Sequence, residues 1–221
     1  MKEFIHIGYK DSKGNEIPSV TQLLNFIGSD NLTNWANALG LRRIRIKDYL
    51  DEVSLAGSIV HDRISHYYEN TNTEPREYLG PKLEEKIDIS FDRFLEWTNE
   101  MRIEPIWSEK RFSNEKYGGT IDLLAKNKED QTILVDFKTS KAPKPTHLLQ
   151  LAGYLTLIEE TDKVMHDKID FAQIVVLGGP CLQVLSKSID EMELYKEAFL
   201  KLYEMYDLFK KCILKDNWRV R

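Results

Sequence analysis

Residues 118–138 limit the fold of this chain more than any other stretch. Two apolar runs, GGTIDLLAK and TILVDFK, flank the polar NKED, and this order predicts two antiparallel strands joined by a tight turn. Side chains alternate along a strand, so Ile133, Val135 and Phe137 share one face while Leu134, Asp136 and Lys138 share the other. The first face reads as core, and the second turns polar abruptly at Asp136. A turn centred on residue 129 sets Asp122 opposite Asp136, with Cβ atoms about 4.5–5.5 Å apart. Lys138 follows about 6–7 Å further along the same face.

Two carboxylates so close raise each other's pKa unless a cation lies between them. Mg²⁺ is commonly held by one or two carboxylates, with waters and phosphate oxygens completing its octahedron. Such an ion polarises a phosphoryl oxygen and lowers the pKa of a bound water. Lys138 is then placed to orient that water or to offset charge developing on a phosphate. An acid two residues before a lysine is common by itself; Glu84-Glu85-Lys86 repeats it on a predicted helix, where it reads as a solvated face. The combination with Asp122, set in its own apolar strand just after Gly118-Gly119, carries the inference.

Around this hairpin the chain alternates helix and strand. FIHIGYKDSKGNEIPSV reads as two short strands around a Lys-Gly-Asn turn, and SVTQLLNFIG as a helix capped by Ser19 or Thr21. Gly28-Ser29 and Gly40 punctuate short helices, LAGSIVHDRISHYYE continues as a longer one, and TNTEPREYLGP is a polar loop. Pro81 suits the first turn of the next helix, whose Leu83, Ile87, Phe91, Phe94, Leu95 and Met101 predict packing against a sheet. IWSEKRF is a strand ahead of the hairpin; THLLQLAGYLTLIEE follows as a helix, FAQIVVLGG and LQVLSKS as strands, and residues 190–214 as a closing helix. The expected fold class is α/β: a single domain over 1–221, with an α-β-β-β-α-β core in 81–221 and a mainly helical elaboration in 1–80.

A net charge of −5 argues against coating nucleic acid by bulk electrostatics, while a local basic groove stays open. Cys181 and Cys212 lack the spacing of a zinc site or a disulfide framework, and read as buried thiols of a reducing cytoplasm. No run approaches the roughly 18 apolar residues of a membrane span, so a soluble, cytoplasmic protein with no membrane partner is expected.

GGTIDLL and VDFKTS, followed by QLAGY, resemble the PD-(D/E)xK nuclease superfamily, and most closely its RecB-type and phage recombination exonucleases. The resemblance runs from about residue 57 to 154 and implies a restriction-endonuclease-like core. It assigns Asp122 and Asp136 to metal binding and catalysis and Lys138 to the attacking water, and brings the backbone carbonyl of Phe137 to the metal. Gln150 and Tyr154 match a glutamine and tyrosine of the family's next helix; their i,i+4 spacing puts both on one face, where they reach a phosphate or hold the lysine. His61 in GSIVHDRISHYYE matches an upstream metal-ligating histidine, whereas His66, five residues on, points away. Glu109 in WSEKRF is the better of two further carboxylates, ahead of Glu115.

The chain has Ile121 where the superfamily's name has proline, and two cysteines cannot hold the four-cysteine iron–sulfur cluster of some relatives. The implied activity is a Mg²⁺- or Mn²⁺-dependent deoxyribonuclease, an exonuclease of recombination or repair acting at a DNA end or on a single strand. It leaves room for a homo-oligomer or a recombination partner protein. The alternative is a catalytically silent nucleic-acid-binding subunit. RRIRIK at 42–47 and KTSKAPK after Lys138 are candidate groove walls. Trp35, Tyr67, Tyr68 and Tyr117 are left without a role, since aromatics at helical spacing are more often core.

Overall fold

The structure, a computed structural model, describes residues 8–28, 32–73 and 76–215. The opening strands are a small antiparallel hairpin, β1 (Tyr9–Lys10) and β2 (Glu16–Ile17); residues 4–7 of that predicted stretch lie outside the described residues. Ser19, rather than Thr21, caps α1 (Val20–Asn25), accepting from the Gln22 amide while the Gln22 side chain accepts from the Ser19 amide. Gly40 falls inside α2 (Leu32–Leu41) instead of ending it. The next helix, α3 (Ile46–Glu69), starts nine residues before the predicted LAGSIV.

Pro81 opens α4 (Pro81–Met101), as its missing N–H predicts. The main sheet follows: β3 (Glu104–Ser113), β4 (Gly118–Lys126) and β5 (Thr132–Lys138), then α5 (Pro145–Thr161), the single turn α6 (Lys163–His166), β6 (Ile169–Val176), β7 (Gln183–Ser188) and α7 (Ile189–Lys215). Strand order is β3-β4-β5-β6-β7, antiparallel except for β5 and β6, which run parallel because α5 carries the chain back across the sheet.

Two apolar cores flank the sheet, making three layers. Leu134, Ile121, Leu124, Ile174 and Val176 pack under α1, α5 and α7, whereas Ile133, Val135, Phe137, Leu123 and Val175 pack under α3 and α4. The second face of β5 is therefore not a polar edge: Leu134 and Asp136 are both 0% exposed, because the crossover helix covers that face as well. Phe94, Tyr67 and Tyr68 meet edge-on, and Tyr117 is fully buried, so these aromatics are packing residues. Cys181 and Cys212 are exposed, contrary to the buried thiols expected, since one lies in the turn before β7 and the other on the outer side of α7.

Candidate active site

The β4–β5 ladder pairs Leu123 with Val135 and Leu124 with Leu134, the register expected from a turn centred on residue 129. At Asp122 the regular pattern changes. The next β5 amide, Phe137 N–H, donates to the Asp122 carboxylate at 2.8 Å. Alternation along β4 slips here too: Ile121 and Leu124 face α5, while Leu123 and Ala125 face α3 and α4. Across the ladder, Glu109 lies between the pairs Ser108–Leu123 and Lys110–Ile121, and it takes a left-handed backbone with φ of 48°. For a non-glycine residue that conformation costs on the order of 1–2 kcal/mol, and it turns the Glu109 side chain toward α3.

The third member comes from α3, which buries Ala56, Ile59, Val60 and Ile64 and so fixes the exposed side of the helix. His61 Nδ1 lies 3.4 Å from Glu109 Oε1 and 3.6 Å from Asp122 Oδ2. One donor atom from each of His61, Glu109 and Asp122 lies within 4.8 Å of the other two. His66 is turned elsewhere, bonded to Thr71 through Nδ1.

Asp136 stands beside this trio on β5. Its Oδ2 is 2.6 Å from Lys138 Nζ, yet neither carboxylate oxygen has a partner that meets hydrogen-bond geometry. A fully buried carboxylate left in that state is rare in a protein. Burial first, and the Asp122 charge with it, outweigh Lys138 and push the Asp136 carboxyl up to about 6. Burial also raises Asp122, against the pull of His61. Burial alone would lower His61, but the Asp122 and Glu109 carboxylates reverse that and hold it at about 9. In this state the imidazolium partly neutralises the acids.

α5 supplies the remaining wall. Gln150 Nε2 donates to the Tyr154 hydroxyl at 2.7 Å, so the phenol keeps its own proton to give. Burial, reinforced by Asp136 and Asp122, raises Tyr154 well above its ordinary value and keeps it neutral. Gly119 makes the approach possible, because a Cβ there would stand 2.6 Å from Tyr154 Cε1.

Sequence reasoning passed over His147 and Arg93. The His147 ring is buried at the start of α5, its Nδ1 accepting the Lys144 amide at 3.2 Å; burial and then Lys138 and Lys144 lower it to about 4, so it is neutral. Its position three residues after the end of the KAPK turn is the signal that could have marked it. Arg93 on α4 donates to the carbonyls of Leu177, Gly179 and Pro180. That turn leans on the end of β5: Leu177 N–H donates to Lys138 O, and a Cβ on Gly178 would lie 1.9 Å from Thr139 O. Arg93 thereby braces the strand end that carries Lys138. Glu115 sits apart, bonded to Ser12.

A sequence model of the PD-(D/E)XK nuclease superfamily matches residues 35–209, more than three quarters of the chain. The chain belongs to this superfamily. His61, Glu109, Asp122, Asp136, Lys138, Gln150 and Tyr154 all fall within the superfamily match, and the three-layer sheet is of the restriction-endonuclease-like type. Among solved structures, an alkaline exonuclease from Laribacter hongkongensis aligns at 12% identity over 73% of this chain and 86% of its own, with a TM-score of 0.36. A phage-related exonuclease from Haemophilus somnus aligns at 14% identity over 88% and 96%, also with a TM-score of 0.36. Both superpose too loosely to bear on function. No curated protein matches in sequence. Among the described residues, no helix is long and apolar enough to cross a membrane.

Proposed function

We propose that the protein is a metal-dependent nuclease that hydrolyses DNA phosphodiesters, working as an exonuclease in recombination or repair. One observation carries the reading: a fully buried Asp136, ion-paired to Lys138 but with neither oxygen in hydrogen-bond geometry, stands beside a nitrogen-and-carboxylate group of His61, Glu109 and Asp122. The Lys138 ammonium at 2.6 Å does not offset the burial of Asp136, and the donor set suits a hard or borderline divalent ion. Mg²⁺ or Mn²⁺ would be held by His61, Asp122, Asp136 and Glu109, with the Phe137 carbonyl as a further oxygen. When bound, such an ion acts as a Lewis acid on a phosphoryl oxygen and lowers the pKa of a water.

The protein groups then have distinct tasks. His61 gives up its proton to act as a ligand, which couples metal affinity to pH. Lys138, held at 2.6 Å by Asp136, presents an ammonium to the incoming oxygen or to the charge gathering on the phosphate. Tyr154 keeps its hydroxyl proton to give to a phosphate oxygen while Gln150 holds the phenol in place. The layer of α5 over the sheet keeps bulk water from Asp136, which strengthens each of these interactions. A cytoplasmic location is consistent with this reading, and there Cys181 and Cys212 would stay as free thiols.

The test is digestion of end-labelled linear and closed circular DNA with Mg²⁺, Mn²⁺ or chelator, using wild type beside Lys138→Ala. Metal-dependent loss of linear DNA by the wild type alone supports the nuclease, and survival of circles supports the need for an end. DNA binding without cleavage of either form would instead establish the silent subunit, a reading disfavoured by the intact Asp122, Asp136 and Lys138.

A further inference from the structure

The RRIRIK turn, left outside the site, lies at the start of the helix that delivers His61. Arg42, Arg43, Arg45 and Lys47 are all exposed, in a chain whose net charge is −5. Arg45 pairs with Asp48 at 3.7 Å, and among the described residues Arg42, Arg43 and Lys47 form no ion pair. The turn itself is left-handed at Arg43, φ 57°, so its cations stand on a sharp reversal between α2 and α3. Leu41 and Leu50 flank it, 79% and 50% exposed.

From that tip, one continuous helix runs to the site. At about 100° per residue, Lys47, Leu50, Ser54, Gly57 and Ser58 all fall within about 60° of His61 around the α3 axis. Lys47, Leu50 and Ser54 are exposed, and Gly57, Ser58 and His61 half-buried, so the stripe is open along its length. Asp48 and Glu52 turn about 140° and 180° away, with Asp51 flanking at about 80°. Small side chains leave a furrow whose hydroxyls suit phosphate oxygens. Its inner end also meets β5: a Cβ on Gly57 would touch Thr139 Oγ1 at 3.4 Å, the residue after Lys138.

We infer that the RRIRIK turn and this stripe of α3 form a track for the backbone of a DNA strand leading to the site. The inference rests on the nuclease reading and adds a length to it. Lys47 stands 14 residues before His61, which is about 21 Å of helix rise. At about 3.4 Å per nucleotide along a duplex strand, the tip holds phosphates about six nucleotides from the metal-binding group. The helix is a ruler: substrates shorter than that distance miss the tip.

The experiment measures binding in chelator, so that nothing is cut, of fluorescent DNA hairpins with stems of about 5 and about 20 base pairs, over about 50–200 mM salt. Wild type is compared with Arg42→Gln/Arg43→Gln/Arg45→Gln/Lys47→Gln. A control, Lys163→Gln/Lys201→Gln/Lys210→Gln/Lys211→Gln, loses the same charge from α6 and α7. On the long stem the tip variant is expected to bind about 10- to 100-fold more weakly at low salt, with a log–log salt slope shallower by about 2–4, while the control keeps the wild-type slope. On the short stem all three proteins should agree. Equal slopes for wild type and tip variant on the long stem, or an equal loss on both stems, overturns the track. Absence of Mn²⁺-dependent cutting by the wild type, with the slope difference intact, sinks the nuclease reading and leaves the track standing.

Discussion

Replacing Asp136 by Asn should make the protein more stable and useless as a nuclease. The carboxyl is pushed up to about 6 by burial and by Asp122, so the folded chain carries its charge at neutral pH at a cost. At about 1.4 kcal/mol per tenfold change in proton affinity, that cost is about 3 kcal/mol. An amide removes it but leaves a buried NH₂ facing the Lys138 ammonium, a penalty of about 1–2 kcal/mol. The net gain expected is about 1–2 kcal/mol, or about 2–8 °C in Tm for a chain of this size. The sign with pH follows from the raised folded value. Above pH 4 the unfolded Asp136 ionises first, so the wild type loses stability relative to the variant as pH rises from about 4 to about 6. Below that window the order should reverse, the amide penalty leaving the variant about 1–2 kcal/mol less stable, and above it the gap should be constant. Urea unfolding in chelator across pH 4–8 measures it. Adding Mn²⁺ should invert the order, since at about 100 times its Kd a ligand of the folded state contributes about 2.7 kcal/mol to the wild type. A variant midpoint equal to or below that of the wild type, in chelator at neutral pH, would refute the claim that Asp136 is held charged at a cost.

Lys138→Gln should lower cleavage by about 10²–10³-fold, the scale of losing one charge-stabilising donor, while a calorimetric Mn²⁺ titration stays close to that of wild type. Gly119→Ala forces a Cβ to 2.6 Å from Tyr154 Cε1; overpacking should cost about 1–3 kcal/mol in urea unfolding and slow cleavage further at temperatures where the variant remains folded. His147 titrates at about 4 in the folded chain, so as pH falls below its ordinary value near 6.5 the unfolded state takes up the proton first and stability is lost between about 6.5 and 4. His147→Gln should flatten that part of the unfolding profile.

Local pattern made the hairpin legible. Symmetry about residue 129 places Asp122 across from Asp136, and the observed pair Leu123–Val135 lies on that same register. The i,i+4 spacing of Gln150 and Tyr154 likewise becomes a direct hydrogen bond. What sequence pattern missed depends on distant segments. The period-2 reading left one face of β5 polar because nothing in VDFKTS shows that α5 returns over it and that β6 pairs alongside in parallel. The start of α3 was legible but missed: Ile46, Tyr49, Leu50 and Val53 keep the i, i+3, i+4, i+7 spacing of a helix, although most of Ile46–Glu52 is exposed. Cys181 was read as core from its chemistry, whereas its neighbours Pro180 and Gly179 put it in a turn.

The slip at Asp122 is the feature that ties fold to site, and it has no local sequence mark. Regular alternation carried forward from Ile121 would turn Asp122 toward α3, and carried back from Leu123 would turn it toward α5. Sitting at the break, the carboxylate does both: it reaches His61 on α3 and accepts from the Phe137 amide on β5. A strict ladder would commit Asp122 to one layer and separate it from either His61 or the Asp136 side of the sheet. The left-handed Glu109 across the ladder belongs to the same distortion, since it brings a second carboxylate to the imidazole from the outermost strand. Irregular backbone of this kind costs free energy in the fold and is retained where a site over-determines it. Here the cost assembles donors from α3, β3 and β4 next to Asp136 and Lys138 on β5, which no single regular element could bring together.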